Sequence, residues 1–178
     1  MENKKYKNKG LTLIELIIVV AILGIIIPFM FTFFRFNYST FFRSKSNYYV
    51  QTNLNEVLRT IDEELRFADQ ITIYEKYDEY KFDNNKNYIY LKDNIIKLKK
   101  ANGEIKNLTS NDIKISELFF YINNNLITIN IEDIEGENMS KDEEFNIEYT
   151  IELLNFIGKN NSEGTVIEYY QTKGDDTH

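Results

Sequence analysis

Between Leu11 and Phe34 the chain holds 24 residues with a single charge, Glu15. As an α-helix this run would extend about 36 Å at 1.5 Å per residue, enough to cross a hydrocarbon core of ~30 Å. A helix apolar on every side belongs in lipid or inside a bundle of other helices, not on one face of a soluble core. Glu15 is the exception that needs explaining, because an acid inside such a segment is costly and as a rule has a partner or a function. Cutting the chain after Gly10 would supply that partner: the freed amine of Leu11 is a positive charge at nearly the same depth. Until a neighbour brings such a charge, the carboxylate is expected to have no fixed protein partner and to reach water or stay protonated.

Met1–Lys9 places four lysines against Glu2 ahead of this run. Lysines beside an apolar segment stay on the cytoplasmic side, so the leader is expected in the cytoplasm and the rest of the chain beyond the membrane. The apolar run is about twice the length of an ordinary secretory h-region, and no small-residue cleavage site follows it. A plain membrane anchor fits the length but has no need of Glu15.

The stretch Gly10-Leu11-Thr12-Leu13-Ile14-Glu15-Leu16, after a lysine-rich leader and before Ile17 to Ile27, resembles the class III signal of type IV prepilins and pseudopilins. The likeness is close from Lys9 to Gly24 and loose beyond. It implies that a prepilin peptidase cleaves between Gly10 and Leu11 and methylates the new N-terminus. It also implies that Glu15 pairs with the amine of a neighbouring subunit during assembly. The partners implied are the peptidase, other pilin or pseudopilin subunits, the inner assembly-platform proteins and the membrane; no cofactor is implied. Leu11 stands where the family most often has Phe, and Pro28 lies ahead of the commoner family proline, which would fall at Thr32.

Pro28 removes one backbone donor, so a kink or a melted turn is expected near Gly24–Pro28. The aromatic passage that follows, from Phe29 to Tyr49, reads as an interfacial belt plus helix packing. Arg35, Arg43 and Lys45 make too thin a groove for a base-stacking platform. Val50, Leu54, Val57, Ile61, Leu65 and Ala68 then follow 4-3-4-4-3 spacing, one apolar stripe along a helix. The simplest architecture is one helix from Leu11 to about Ala68, roughly 85 Å long.

Alternation of period two marks the elements expected to cover the stripe. Ile71 and Ile73, Tyr88–Leu91, Ile95–Leu98, Ile105–Leu108, Leu118–Ile122, Leu126–Ile131 and Phe145–Leu153 read as strands of an antiparallel sheet. Thr165–Tyr170 is expected to add an edge strand. Asn102-Gly103 suggests a type I′ hairpin turn, and Asn123-Asn124-Asn125 a second link. Tyr77–Asn87 and Asp133–Glu144 read as the longest loops. The fold class is α+β: a long N-terminal helix packed on an antiparallel β-sheet head. The organisation expected is a leader at 1–10, a membrane or filament-core helix at 11–34, its amphipathic continuation at 35–69, and a β-rich head at 70–178.

Composition narrows the chemistry. The formal charge of the 178 residues is −7, and with a leader at +3 the remainder carries −10. Nucleic acid is therefore not expected as a partner of the head, since phosphate binding needs a concentrated basic surface. There is no cysteine, so neither a disulfide nor lipoprotein acylation is available. The one histidine, His178, rules out histidine triads and multi-histidine metal sites. The acids from Asp133 to Glu137 and from Asp142 to Glu144 could offer oxygens to Ca²⁺, but they lack EF-hand spacing and read as a solvated loop. No P-loop or dinucleotide fingerprint occurs. These residues do not describe an enzyme. They point to a minor pilin or pseudopilin, a structural subunit of a type IV pilus or of a related secretion or competence pseudopilus. The faint overall similarity is to J/W-type minor subunits. A filament-displayed adhesin or receptor module, or a plain anchored extracytoplasmic domain, is the alternative.

Overall fold

The computed structural model describes residues 12–77, 82–136, 139, 145–156 and 162–171. The chain divides into two units, Met1–Phe42 and Arg43–His178. In the first, the described residues are Thr12 and the opening part of a helix, α1 (Leu13–Leu65). Every large apolar side chain from Leu13 to Phe34 is at least 44% exposed. That is the expected state of a segment whose surroundings are lipid or other subunits. The expected melted turn is not found, as α1 stays helical through Gly24 and Pro28. Thr32 Oγ1 donates to the Pro28 carbonyl (3.0 Å) and Asn37 Nδ2 to that of Phe33 (2.8 Å). Both polar side chains thus satisfy themselves on their own helix, as they must in an apolar medium.

The second unit holds the rest of α1 and, among the described residues, nine strands in two antiparallel sheets. These are β1 (Gln70–Tyr74), β2 (Asn87–Lys92), β3 (Ile95–Lys99), β4 (Ile105–Asn107), β5 (Ile113–Asn123), β6 (Leu126–Gly136), β7 (Ile147–Glu152), β8 (Ser162–Gly164) and β9 (Val166–Tyr170). One sheet runs β1-β9-β2-β3-β4 and the other β7-β6-β5-β8. The whole stripe Val50, Leu54, Val57, Ile61, Leu65 and Ala68 is buried, joined by Leu58, which the spacing did not pick out. It packs in one core with the inner residues of both sheets, among them Ile89, Ile96, Phe120, Ile129 and Ile167. The outward face of the helix carries Gln51, Asn55, Glu56, Arg59 and Glu63, all exposed.

Three sequence expectations are corrected. The first is that a single sheet gives way to two, and β5 and β6 extend well past their alternating segments. Buried positions run 113, 115 and then 118, 120, 122 in β5, and 127, 129, 131 and then 134 in β6. The inward face shifts phase opposite Asp133, which takes a left-handed φ of 52° and whose N–H donates to Asn146 Oδ1. A period-two reading stops at such a shift; the ladder does not. The acidic stretch beginning at Asp133 is therefore strand as far as Gly136, while 137–138 and 140–144 lie outside the described residues.

The second correction concerns the turns. Asn102 is not among the positive-φ residues; Gly103 alone takes 85°, and its N–H donates to the Lys100 carbonyl. This is a turn closed by a left-handed glycine, not type I′. The two-residue turn with both φ positive lies instead at Asp93-Asn94 (57° and 62°), between β2 and β3. The third concerns β9, which is no edge strand. It sits between β1 and β2, with Val166, Ile167, Glu168 and Tyr169 buried. Tyr169 OH reaches Glu64 Oε2 on α1 (2.6 Å), and Lys100 Nζ bridges the same carboxylate at 2.5 Å. Burial, then the bond to Glu64, holds the Tyr169 phenol protonated well above its ordinary value.

Between β8 and β9 the chain steps from one sheet to the other at Thr165, whose N–H donates to the Tyr74 carbonyl (3.0 Å). The step leaves no room at Gly164: a Cβ there would lie 2.2 Å from Tyr74 O, a backbone atom. Gly164→Ala should therefore destabilise the chain by about 1–3 kcal/mol, the range for forcing a group into packed structure. Thermal unfolding of full-length chain in detergent checks this, and an unchanged midpoint would show that the step relaxes freely.

Candidate functional site

The processing residues Gly10 and Leu11 lie outside the described residues. Glu15 lies on the first turn of α1, and there the expectation of an acid without a protein partner is corrected. Glu15 Oε2 accepts from both the backbone N–H (2.8 Å) and the hydroxyl (2.7 Å) of Thr12, while the Glu15 N–H points back to Thr12 Oγ1 at 3.4 Å. Thr12-Leu13-Ile14-Glu15 is a capping box, in which the residue before the helix and the one three positions on satisfy each other's open donors. The sequence carries this signal as Thr-x-x-Glu ahead of an apolar run, where the lone charge is the more conspicuous feature. A carboxylate here also faces the positive end of the helix dipole.

The site thus combines a held acid, a helix start fixed by Thr12 and, behind it, an uncovered apolar surface. Among the described residues, α1 is the one helix long and apolar enough to cross a membrane. No group of three or more His, Asp or Glu among them could hold a metal ion.

Residues 5–27 match the family model of the prokaryotic N-terminal methylation motif. Among solved structures, the fold is similar to a point mutant of the PilB minor pilin from Streptococcus sanguinis, with a TM-score of 0.54 at 16% identity. The chain carries a type IV pilin signal on a pilin-like fold. The similarity covers 74% of this chain but 36% of that one, so this pilin-like chain spans about a third of its solved relative. No curated protein matches the sequence.

Proposed function

We propose that the chain is a minor pilin or pseudopilin, assembled through α1 into a type IV pilus or a related secretion or competence pseudopilus. The observation that carries this reading is one held acid, Glu15, at the start of an apolar helical surface that the rest of the chain leaves uncovered. A soluble core helix would be buried, and a plain anchor has no need of a charge inside its apolar run. In this reading residues 1–10 are a cytoplasmic leader removed by a prepilin peptidase. Residues 11–34 cross the membrane and later line the filament core, the helix continues to Leu65, short of the expected residue 69, and 70–178 form the extracytoplasmic head. The other partners are pilin or pseudopilin subunits and the assembly platform. The lysines of the leader support this orientation.

Processing tests the proposal. Mass spectrometry of full-length chain made beside an active prepilin peptidase should give a mature form beginning at N-methylated Leu11. Gly10→Val should leave the precursor intact, because a branched side chain replaces the small residue at the cut. Wild-type chain still beginning at Met1 under those conditions would overturn the reading.

A further inference from the structure

Two surfaces of this chain are exposed, aromatic and opposite in charge. The first is the side of the four-stranded sheet turned away from the core. There Phe119 and Tyr121, two positions apart on β5, are both more than 40% exposed. Register sets Phe119 beside Asn130 on β6, and Tyr121 between Thr128 on β6 and Glu163 on β8. Glu148 on β7 stands opposite Asn130, and Glu117 stands opposite Glu132. Like charges directly opposite each other weaken a sheet. None of these four glutamates forms an ion pair among the described residues. Asn130 Oδ1 is buried on this side without a hydrogen-bond donor. Among the residues of the four strands Lys114 is the one base, and it stands opposite Glu135. The residues of 137–144 and 157–161 outside the described ones hold four acids and two lysines, so wherever they lie they leave the sign negative. What this face lacks is a set of cations with N–H groups, and it offers such cations rings to rest on.

The second surface is on α1. From Leu16 to Asn55 the chain has three charges, Arg35, Arg43 and Lys45, all positive. They are exposed and form no ion pair among the described residues. Arg35, Tyr38 and Phe42 share one side of the helix, at i, i+3 and i+7, with Arg43 and Lys45 on its two flanks. Residues 13–34 already rise about 33 Å, enough for the ~30 Å hydrocarbon core, so the rings from Phe36 to Phe42 stand beyond it. Lipid tails therefore do not cover them, and large exposed rings outside lipid mark a protein contact. The dimensions of the two surfaces agree. Arg35 to Lys45 is about 15 Å of a helix about 10–12 Å across. The sheet runs about 20 Å from Glu117 to Asn123, and its four strands are about 14 Å wide.

We propose that the outer face of β7-β6-β5-β8 in one copy receives the Arg35–Lys45 stretch of α1 from a second copy. The guanidinium and ammonium groups of the helix meet Glu117, Glu132 and Glu148, and its rings lie on Phe119 and Tyr121. The contact is head to tail: each docked pair keeps one free sheet face and one free helix, so copies add in series. A face of roughly 300 Å² on each partner falls well below the ~1,200–2,000 Å² total of stable complexes. The contact therefore acts between chains already held side by side in a membrane, where the local concentration is high. The inference rests on the assembly reading for which part of α1 lies clear of lipid.

The test uses full-length chain made beside a prepilin peptidase, with its N-terminus read by mass spectrometry. Two preparations, one labelled with heavy isotopes, are reconstituted together in phosphatidylcholine vesicles. In the unlabelled copy Tyr121→p-benzoylphenylalanine supplies a photo-crosslinker at an exposed position. Illumination should join it to residues 31–49 of the labelled copy. Ile105→p-benzoylphenylalanine, at an exposed position of the other sheet, should give no such product. Arg43→Glu with Lys45→Glu in the labelled copy should cut the yield on the order of tenfold, because like charges then face each other. Glu132→Lys with Glu148→Lys in the unlabelled copy should restore it, which a mere loss of folding cannot do. Absence of joined copies from position 121 overturns the inference, as does joining elsewhere in the second copy. So does a yield that the first reversal leaves unchanged or the second fails to restore. If the chain begins at Leu11, those results leave the assembly reading standing; if it still begins at Met1, both fall. Joined product from chain that begins at Met1 would keep the contact and overturn the assembly reading alone.

Discussion

Glu15→Val should reach the membrane at wild-type levels yet be reduced on the order of tenfold in sheared filaments, the kind of loss that follows when one partner of a buried charge pair is removed. Valine at this depth is apolar, so insertion is unhindered. In a filament core, however, the amine of a neighbouring chain would face a methyl group in place of a carboxylate and stay buried and unpaired. In the proposed assembly the pair would act chiefly as an alignment device, since both charges lose their hydration when they meet and a shift of one residue would leave both unsatisfied. The capping box adds a second effect of the same substitution, because Thr12 would lose the acceptor for its N–H and hydroxyl. Glu15→Gln separates the two. Glutamine can still accept from Thr12 and close the box, but it carries no charge. If the charge pair governs assembly, the glutamine variant is as depleted as the valine variant. Recovery of the glutamine variant at wild-type levels would assign the role to the helix cap. Recovery of both would make Glu15 dispensable and favour the plain-anchor reading.

Leu54→Asp and Ile61→Asp should each unfold the second unit. Both side chains are 0% exposed and face the common core of the two sheets. Each substitution forfeits the burial of a large aliphatic side chain, about 1.5–3 kcal/mol, and places a carboxylate where no donor waits for it. Together these exceed about 4 kcal/mol, comparable with the lower end of the 5–15 kcal/mol that holds a typical domain. Circular dichroism should show loss of the strand signal and of the cooperative transition. Glu56→Gln, on the exposed face of the same helix, should melt as wild type does. Cooperative unfolding of either aspartate variant within a degree or two of wild type would mean that the stripe is not the floor of the core.

The helix was legible because its signals are local. The apolar run with its single charge and the 4-3-4-4-3 spacing both depend on residues within a turn or two of each other, and all six stripe residues are buried as the spacing requires. Strand positions were legible for the same reason wherever alternation kept its phase, as in Ile127, Ile129 and Ile131. The sheet order was not, because pairing between Gln70 and Tyr170 leaves no trace in the residues around either. Nor was the acidic face of the four-stranded sheet. Phe119 and Tyr121 read as alternate residues of one strand, and Glu117 and Glu132 read as two acids among many until the register sets them opposite each other. The site residues divide likewise. Glu15 stood out because charge is rare in its surroundings, whereas Thr12 was hidden by being ordinary.

The place of β9 fixes an order of events. β1 follows directly on the end of α1, yet its one partner in the five-stranded sheet is β9, the last of the described strands, which also carries β2 on its other side. Until Val166–Tyr170 has been synthesised, β1 and β2 have nothing between them, and Glu64 lacks the Tyr169 hydroxyl and the Gln171 amide that close over it. Contacts spanning about 100 residues form slowly, because the intervening loop must be ordered before they reward it. In the proposed assembly the helix would therefore be lodged in a bilayer while the head is still an unfinished sheet. A chain cut short after Gly164 would be anchored like the full one and never close.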